Sequence, residues 1–318
     1  VPTWRARDVT REIDLVEEVA RAVLDRVPLT LPLRRHVQGR LSKEQRLRRL
    51  VEDVLVGLGF SEAYTWSLED DDPDPNAIRL PDPMTSEQAI LRTTLLPGLL
   101  DAARTSIDVG AERVALFEVA RVYLPSDERL PEERWRVSGI VGGGFGRAKG
   151  AVEALAAAAH VELGFERLSD PGALFHPGKA ARTDAGPVAE LHPALLDGSW
   201  GVFELDVATL VAAAPERVEY EDVITFPALY QDVAVAVPEG VEAGALVAAV
   251  REAGGEELRD ARVFDVYRGE QVGAGRKSVA LRLAFQSPER TLADEDVAAI
   301  RERIVAALAE RFRAELRA

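Results

Sequence analysis

Four acids near the start of the chain are spaced to act together. Asp14, Glu17 and Glu18 stand three and four residues apart, so a helix would set their carboxylates on one face. Asp8 lies six residues before Asp14, in the segment leading in. Oxygen donors crowded this way repel one another unless a cation or a basic group sits among them. They suit Mg²⁺, which keeps several waters and takes one or two carboxylates directly. The same pattern serves a first helical turn whose acids face the positive end of the helix dipole, with Arg5, Arg7 and Arg11 at hand to neutralise them. Spacing alone leaves both readings open.

Other chemistry finds little support. The run Gly142-Gly143-Gly144-Phe145-Gly146-Arg147 joins a strand to a helix, where phosphates are often cradled. It lacks the third glycine of a dinucleotide fingerprint, and no Gly-Lys-Ser/Thr follows. A flexible connection is the better reading. His36, His160, His176 and His192 include no pair at helical i, i+4 spacing, and Pro177 and Pro193 place two of them in rigid turns. No Gly-x-Ser-x-Gly elbow is present. The complete absence of cysteine removes disulfides, thiolate metal sites and thiol nucleophiles.

The elements that must position these residues read as follows. Ile13, Val16, Val19, Ala20 and Val23 predict a helix over residues 10–25, ended by Pro28 and Pro32. Leu47, Leu50, Val51, Val54, Leu55 and Leu58 predict a second helix, closed by Gly59, and residues 63–68 a short strand. Asp70-Asp71-Asp72-Pro73-Asp74 reads as a solvated acidic loop. Strands are expected at 114–123, 137–142, 180–183, 188–191 and 202–205, with an alanine-rich helix at 148–163. After the proline-bracketed stretch 215–227 the pattern becomes strand 232–237, helix 243–253, strands 258–267 and 278–286, helix 294–312 and a last strand at 314–317. That order is the ferredoxin-like split β-α-β-β-α-β motif.

At 318 residues the chain has room for about two domains. Its net charge of −15 excludes a broad electrostatic grip on nucleic acid, so any such contact needs a local basic patch. No apolar run approaches the ~20 residues of a membrane helix, and no signal peptide is seen. A cytoplasmic protein without membrane contact is expected. The first residue is Val1 and the one methionine is Met84, so the sequence reads as a piece of a longer protein.

Blocks of sequence along nearly the whole chain resemble a known family. They include Pro2-Thr3-Trp4-Arg5 with Asp8 and Asp14–Arg21, Leu91-Arg92-Thr93-Thr94-Leu95-Leu96-Pro97-Gly98, and Leu116-Phe117-Glu118-Val119. His176-Pro177-Gly178-Lys179, Glu190-Leu191-His192-Pro193, Val202-Phe203-Glu204-Leu205-Asp206 and Phe264-Asp265-Val266-Tyr267-Arg268-Gly269 follow in order. Together they resemble the C-terminal part of the bacterial phenylalanyl-tRNA synthetase beta subunit. The resemblance implies an α+β chain in three regions. Residues 1–27 would end a metal-contacting module, residues 28–222 would form a catalytically silent copy of the class II synthetase antiparallel sheet, and residues 223–318 a ferredoxin-fold anticodon-binding domain.

The resemblance further implies that Asp8, Asp14, Glu17 and Glu18 contribute to a Mg²⁺ site shared with the alpha subunit. That subunit would bind phenylalanine and ATP, in an assembly of two alpha and two beta chains acting on the tRNA for phenylalanine. This chain alone would be inactive, having no Gly-x-Gly-x-Gly-x-Glu-Arg run for ATP. The alternative is a stand-alone, synthetase-derived RNA-binding or regulatory protein. From residue 225 onward 13 Lys and Arg face 16 Asp and Glu, so RNA contact requires clustering. Arg259, Arg262, Arg268, Arg276, Lys277 and Arg282 fall on or beside two strands that would pair. Tyr230 and Tyr267 could stack unpaired bases, and Tyr230, Tyr267, Arg268, Arg276 and Lys277 are the expected tRNA contacts.

Overall fold

In the computed structural model residues 1–30, 39–220 and 222–317 are described, and the chain forms two compact units, Val1–Ser42 and Lys43–Ala318. Pro32 and His36 lie outside the described residues.

In the first unit α1 (Glu12–Arg21) is shorter than its apolar periodicity predicts, and a 3₁₀ turn at Leu24–Arg26 takes up the remainder. Asp14 sets the start of the helix. Its Oδ2 accepts from the backbone N–H of Thr10 (2.9 Å) and Arg11 (2.7 Å), satisfying donors that a helix start leaves free. No residue of α1 is buried, and Ile13, Leu15, Val16 and Val19 are each more than half exposed.

The second unit opens with α2 (Lys43–Gly57), which buries Leu47, Val51 and Leu55. Then come β1 (Ser61–Glu62), β2 (Leu68–Glu69), β3 (Ile90–Leu91), α3 (Leu96–Asp108), β4 (Ala115–Leu124), β5 (Glu132–Gly142) and α4 (Phe145–Ala158). They are followed by β6 (Glu166–Arg167), β7 (Phe175–Thr183), β8 (Gly186–Leu191), β9 (Trp200–Asp206) and α5 (Val207–Ala213). Among the described residues seven of these strands build one sheet ordered β1-β4-β5-β9-β8-β7-β6, while β2 and β3 pair apart as an antiparallel two-stranded ladder. The β1–β4 pair is parallel and every other pair antiparallel.

Strand alternation gives this sheet two apolar faces. On one, Phe117, Val137, Val188, Phe203 and Leu205 pack with residues of α2, α4 and α5. On the other, Leu116, Ile140, Val202, Ala189 and Ala180 run in register across five strands. They pack with Leu96, Leu99, Leu100 and Ala103 of α3. Each fully buried Val, Leu, Ile or Phe side chain among them contributes about 1.5–3 kcal/mol.

Two sequence expectations give way here. The strand at 63–68 is replaced by β1, an irregular segment and β2, because Thr65 turns inward and its Oγ1 donates to Glu118 Oε2 at 2.6 Å. The acidic loop is not wholly solvated. Asp72 is buried and accepts from the backbone N–H and Oγ1 of Thr93 at 2.7 and 2.6 Å.

A second, four-stranded sheet follows. Its elements are β10 (Leu229–Pro238), α6 (Ala243–Gly254), β11 (Leu258–Tyr267), β12 (Arg276–Phe285), α7 (Asp294–Phe312) and β13 (Glu315–Arg317), with strand order β11-β12-β10-β13. This is the expected split motif. Val233, Val235, Val237, Val279, Leu281, Leu283 and Phe285 form one core cluster with Leu246, Val250, Val297, Ile300, Ile304 and Leu308 of the helices. Both helices therefore lie on one side and the other face is open. The α7 helix is anchored by Asp296, which accepts from the Ala293 N–H and pairs with Arg290. Those contacts, Arg290 first, hold its carboxyl down at about 2.

Candidate functional site

The acids of the first unit are brought together in part. Arg5 Nη2 lies 2.8 Å from Asp8 Oδ2 and 2.6 Å from Glu18 Oε1, so one guanidinium bridges the two carboxylates. Its hydrogen bonds hold both carboxyls below the usual range. Asp14 is committed to the helix start, and hydrogen bonds from Thr10 and Arg11 lower its carboxyl too. Glu17 is exposed on the same helix. Among the described residues no group of three or more acids or histidines is arranged to hold a metal. Asp8 and Glu18 do supply what a two-carboxylate Mg²⁺ site needs, oxygens converging on one cationic point.

The middle sheet carries a polar row beside its α3-covered apolar row. Glu118, Ser138 and Glu204 are paired in register on β4, β5 and β9, and Ala120, Arg136 and Asp206 form the next row. The acids of the first row are already engaged. Glu118 Oε1 accepts from Arg92 Nη1 at 3.1 Å, and both side chains are nearly inaccessible, at 1% and 3%. Glu204 Oε2 accepts from Thr94 Oγ1 and the Leu95 N–H, both at 2.8 Å. Burial pushes its carboxyl up against these bonds.

The glycine-rich connection into α4 is likewise occupied. Glu190 Oε2 accepts from the Phe145 N–H at 3.3 Å, while Oε1 pairs with Lys179 at 2.8 Å. The carboxylate thus stands where a phosphate would bind at a helix start. The connection is tightly packed rather than flexible. A Cβ added at Gly201 would lie 2.3 Å from the Gly144 carbonyl, so only glycine lets β9 approach there. His176 and His192 close their own turns, each Nδ1 accepting from the N–H two residues on, at 3.0 and 3.2 Å.

On the open face of the four-stranded sheet the centre is small, with Ala234, Ala236, Ala280, Ala284 and Ser278 on β10 and β12. At one end Tyr230, Asp232, Arg262 and Arg282 line a groove of about 520 Å³. Arg282 forms a two-pronged pair with Asp232, at 2.8 Å on each oxygen, and lies 5.0 Å from the Phe264 ring centroid. At the other end Tyr267 is opposite Ser278, with Arg317 5.9 Å from its ring centroid.

The expected tRNA residues separate into two sets. Tyr230 and Tyr267 are exposed on this face. Arg268 and Lys277 converge instead on Glu239, and Arg276 is held by Glu315 and the Ala236 carbonyl. Sequence reading missed Phe264. A register irregularity between Val263 and Asp265 turns it out of the period-two pattern, so periodicity holds no signal for it.

A largely antiparallel sheet with helices on both faces, followed by the split motif, defines an α+β chain. The sequence matches the family described as phenylalanyl tRNA synthetase beta chain CLM domain over residues 27–212. It matches the ferredoxin-fold anticodon binding domain over residues 225–317. The chain belongs to the phenylalanyl-tRNA synthetase beta chain family. It is 38% identical to a phenylalanine–tRNA ligase beta subunit of Geobacillus kaustophilus, over 98% of this chain and 43% of the relative. Against the subunits of Moorella thermoacetica and Bacillus subtilis, identity is 36% and 35% over all of this chain and 44% and 43% of theirs. The chain thus spans less than half the length of these relatives. Among the described residues no helix is long and apolar enough to cross a membrane.

Proposed function

We propose that the chain is the C-terminal part of a phenylalanine–tRNA ligase beta subunit, which supports a catalytic alpha subunit and contacts the tRNA for phenylalanine. The observation that carries this reading is the succession of both family domains along one chain. Phenylalanine and ATP bind the alpha subunit. In this chain the buried acids of the sheet's polar row are taken by its own residues, Glu118 by Arg92 and Glu204 by Thr94. The reaction this chain serves is ATP-dependent aminoacylation in a two-alpha, two-beta assembly.

The surface assigned to the alpha subunit is the edge beyond β1. Tyr64 and Trp66 are 95% and 77% exposed there, flanking the inward-turned Thr65. Large exposed aromatics at a sheet edge fit the anchors of an interface. Mixing the chain with the cognate alpha subunit should give one complex by light scattering. Replacing Tyr64 and Trp66 together by Glu should weaken it by at least about a hundredfold, or roughly 3 kcal/mol. The chain alone should show no ATP–pyrophosphate exchange. Failure to form any complex would refute the subunit reading and favour the stand-alone alternative.

Asp8 and Glu18 are the residues that would hold Mg²⁺ in place of the Arg5 guanidinium. Asp14 keeps the helix start in position, and Glu17 adds negative charge. When bound, the ion would supply the positive charge that the Arg5 guanidinium now places between these two carboxylates. Assembly with the alpha subunit should then be strengthened by Mg²⁺ in the unaltered chain and insensitive to it in an Asp8→Asn, Glu18→Gln variant. Equal Mg²⁺ dependence in both would remove these residues from the site.

The tRNA contacts centre on the open face, with Tyr230 and Tyr267 as stacking platforms and Arg262 and Arg282 beside them. Stacking contributes about 1–3 kcal/mol per base. Tyr230→Ala with Arg262→Ala should therefore weaken tRNA binding at least about tenfold and flatten its salt dependence. Arg268→Ala with Lys277→Ala should have a smaller effect, since Glu239 already engages both heads. Filter binding at several salt concentrations tests this, and the reverse order of effects would place the RNA elsewhere.

A further inference from the structure

A cleft of about 570 Å³ opens at the end of the seven-stranded sheet, where β5 begins, β9 ends and the β7–β8 turn passes over. Its volume is that of a small-molecule site. Two groups inside it have unmet hydrogen bonds. Arg136 Nε is buried and has no partner, and neither has the buried Oδ2 of Asp206. Asp206 Oδ1 is occupied, accepting from the Thr209 N–H at 2.9 Å. Arg134 Nη1 and Arg136 Nη2 stand 3.8 and 3.7 Å from Asp206 Oδ2, too far for a hydrogen bond and close enough to attract. A guanidinium N–H and a carboxylate oxygen left without hydrogen bonds are each costly, and a ligand offering both an acceptor and a donor would satisfy them together.

The rest of the lining narrows the ligand. Arg134 and Arg182 stand on the same walls as Asp170 and Asp184 but are already paired with Glu132 and Glu166, at 2.7 and 3.7 Å. A phosphate would therefore meet more like charges than opposite ones. A molecule carrying one group of each sign on the same carbon meets complementary partners in Arg136 and Asp206. Leu168, Phe175 and Pro187 add an apolar wall.

We propose that this cleft binds a free α-amino acid with an apolar side chain, as its zwitterion. The carboxylate lies on Arg136, the ammonium on Asp206, and the side chain against Leu168 and Phe175.

Calorimetric titration of the 318-residue chain with leucine, valine, methionine and phenylalanine, each separately, tests the assignment. At least one should bind saturably. For that amino acid the methyl ester, which lacks the carboxylate, and the N-acetyl derivative, which lacks the ammonium, should each bind at least about tenfold more weakly. Arg136→Gln and Asp206→Asn should cause losses of the same size. Asp206→Asn keeps an oxygen for the Thr209 N–H, and circular dichroism verifies that both variants fold. The two derivatives, tested on the unaltered chain, keep the assignment falsifiable if a variant does not. It is overturned if none of the four amino acids binds, if the derivatives match their parent, or if inorganic phosphate binds and the amino acids do not.

Discussion

Replacing Arg92 by Leu will destabilise the seven-stranded sheet by about 3–5 kcal/mol, the usual cost of removing one partner from a buried ion pair. Arg92 does more than neutralise Glu118. Its Nη1 also donates to Thr65 Oγ1 at 2.9 Å and to the Trp66 carbonyl at 3.2 Å, and its Nε donates to the Arg121 carbonyl at 3.1 Å. The guanidinium therefore ties the irregular segment between β1 and β2 to the outgoing end of β4. Leucine would leave a buried carboxylate without its cation and several carbonyls without donors. Lysine could restore the charge but not the fork that reaches separate acceptors. Urea unfolding followed by tryptophan fluorescence reads this sheet directly, because Trp66, Trp135 and Trp200 lie on or beside it and the four-stranded sheet has none. A loss below about 1 kcal/mol would mean the pair is not closed in solution.

Glu69→Gln should act in the opposite direction, and only above acidic pH. Both carboxylate oxygens of Glu69 are buried without a hydrogen-bond partner. Burial, followed by the charge of Asp72, pushes the carboxyl from 4.5 up to about 7, with Asp101 and Asp70 adding to the rise and Arg92 opposing it. The folded chain therefore binds this proton more tightly than the unfolded chain. The resulting stability is fully present below about 4.5 and is lost as pH rises through about 7. The loss is on the order of 2 kcal/mol once partial solvent access is allowed for. Glutamine stays neutral, so the variant should match the parent in acid and exceed it at about pH 8. Parallel unfolding curves across that range would show that the oxygens find partners in solution.

Much of the second sheet was legible in the sequence. Val279, Leu281, Leu283 and Phe285 alternate without interruption, and Val297, Ile300, Ile304 and Leu308 repeat at helical spacing. The bounds of β11 and α7 follow from such patterns to the residue. The α3 helix is harder to see in the sequence, since Pro97 and Gly98 stand in its first turn. Within the first turn, however, proline loses no intrahelical hydrogen bond. Segment 63–68 escaped because its conformation depends on Glu118, more than 50 residues away, and local pattern carries no trace of that partner.

The site shows the same division. Spacing set Asp14 and Glu18 on one helix, and Arg5 stood out as a possible neutraliser. That Arg5 takes Asp8 and Glu18 while Asp14 turns to the backbone is decided by the fold of the segment before the helix, which spacing does not encode. The Arg136–Asp206 gap had no sequence signal, because cross-strand register alone places them side by side.

The three-residue strand β13 has a protective consequence. It pairs with Ala234, Val235 and Ala236 along the outer side of β10, and Arg276 fastens it by reaching both Glu315 and the Arg313 carbonyl. Without that cover, β10 would present a run of alternating valine and alanine with unpaired backbone groups. Such an edge is a template on which other chains add strand by strand. Arg276 therefore acts as a latch on the strand that covers this edge, and losing it should leave the edge of β10 more open to other chains.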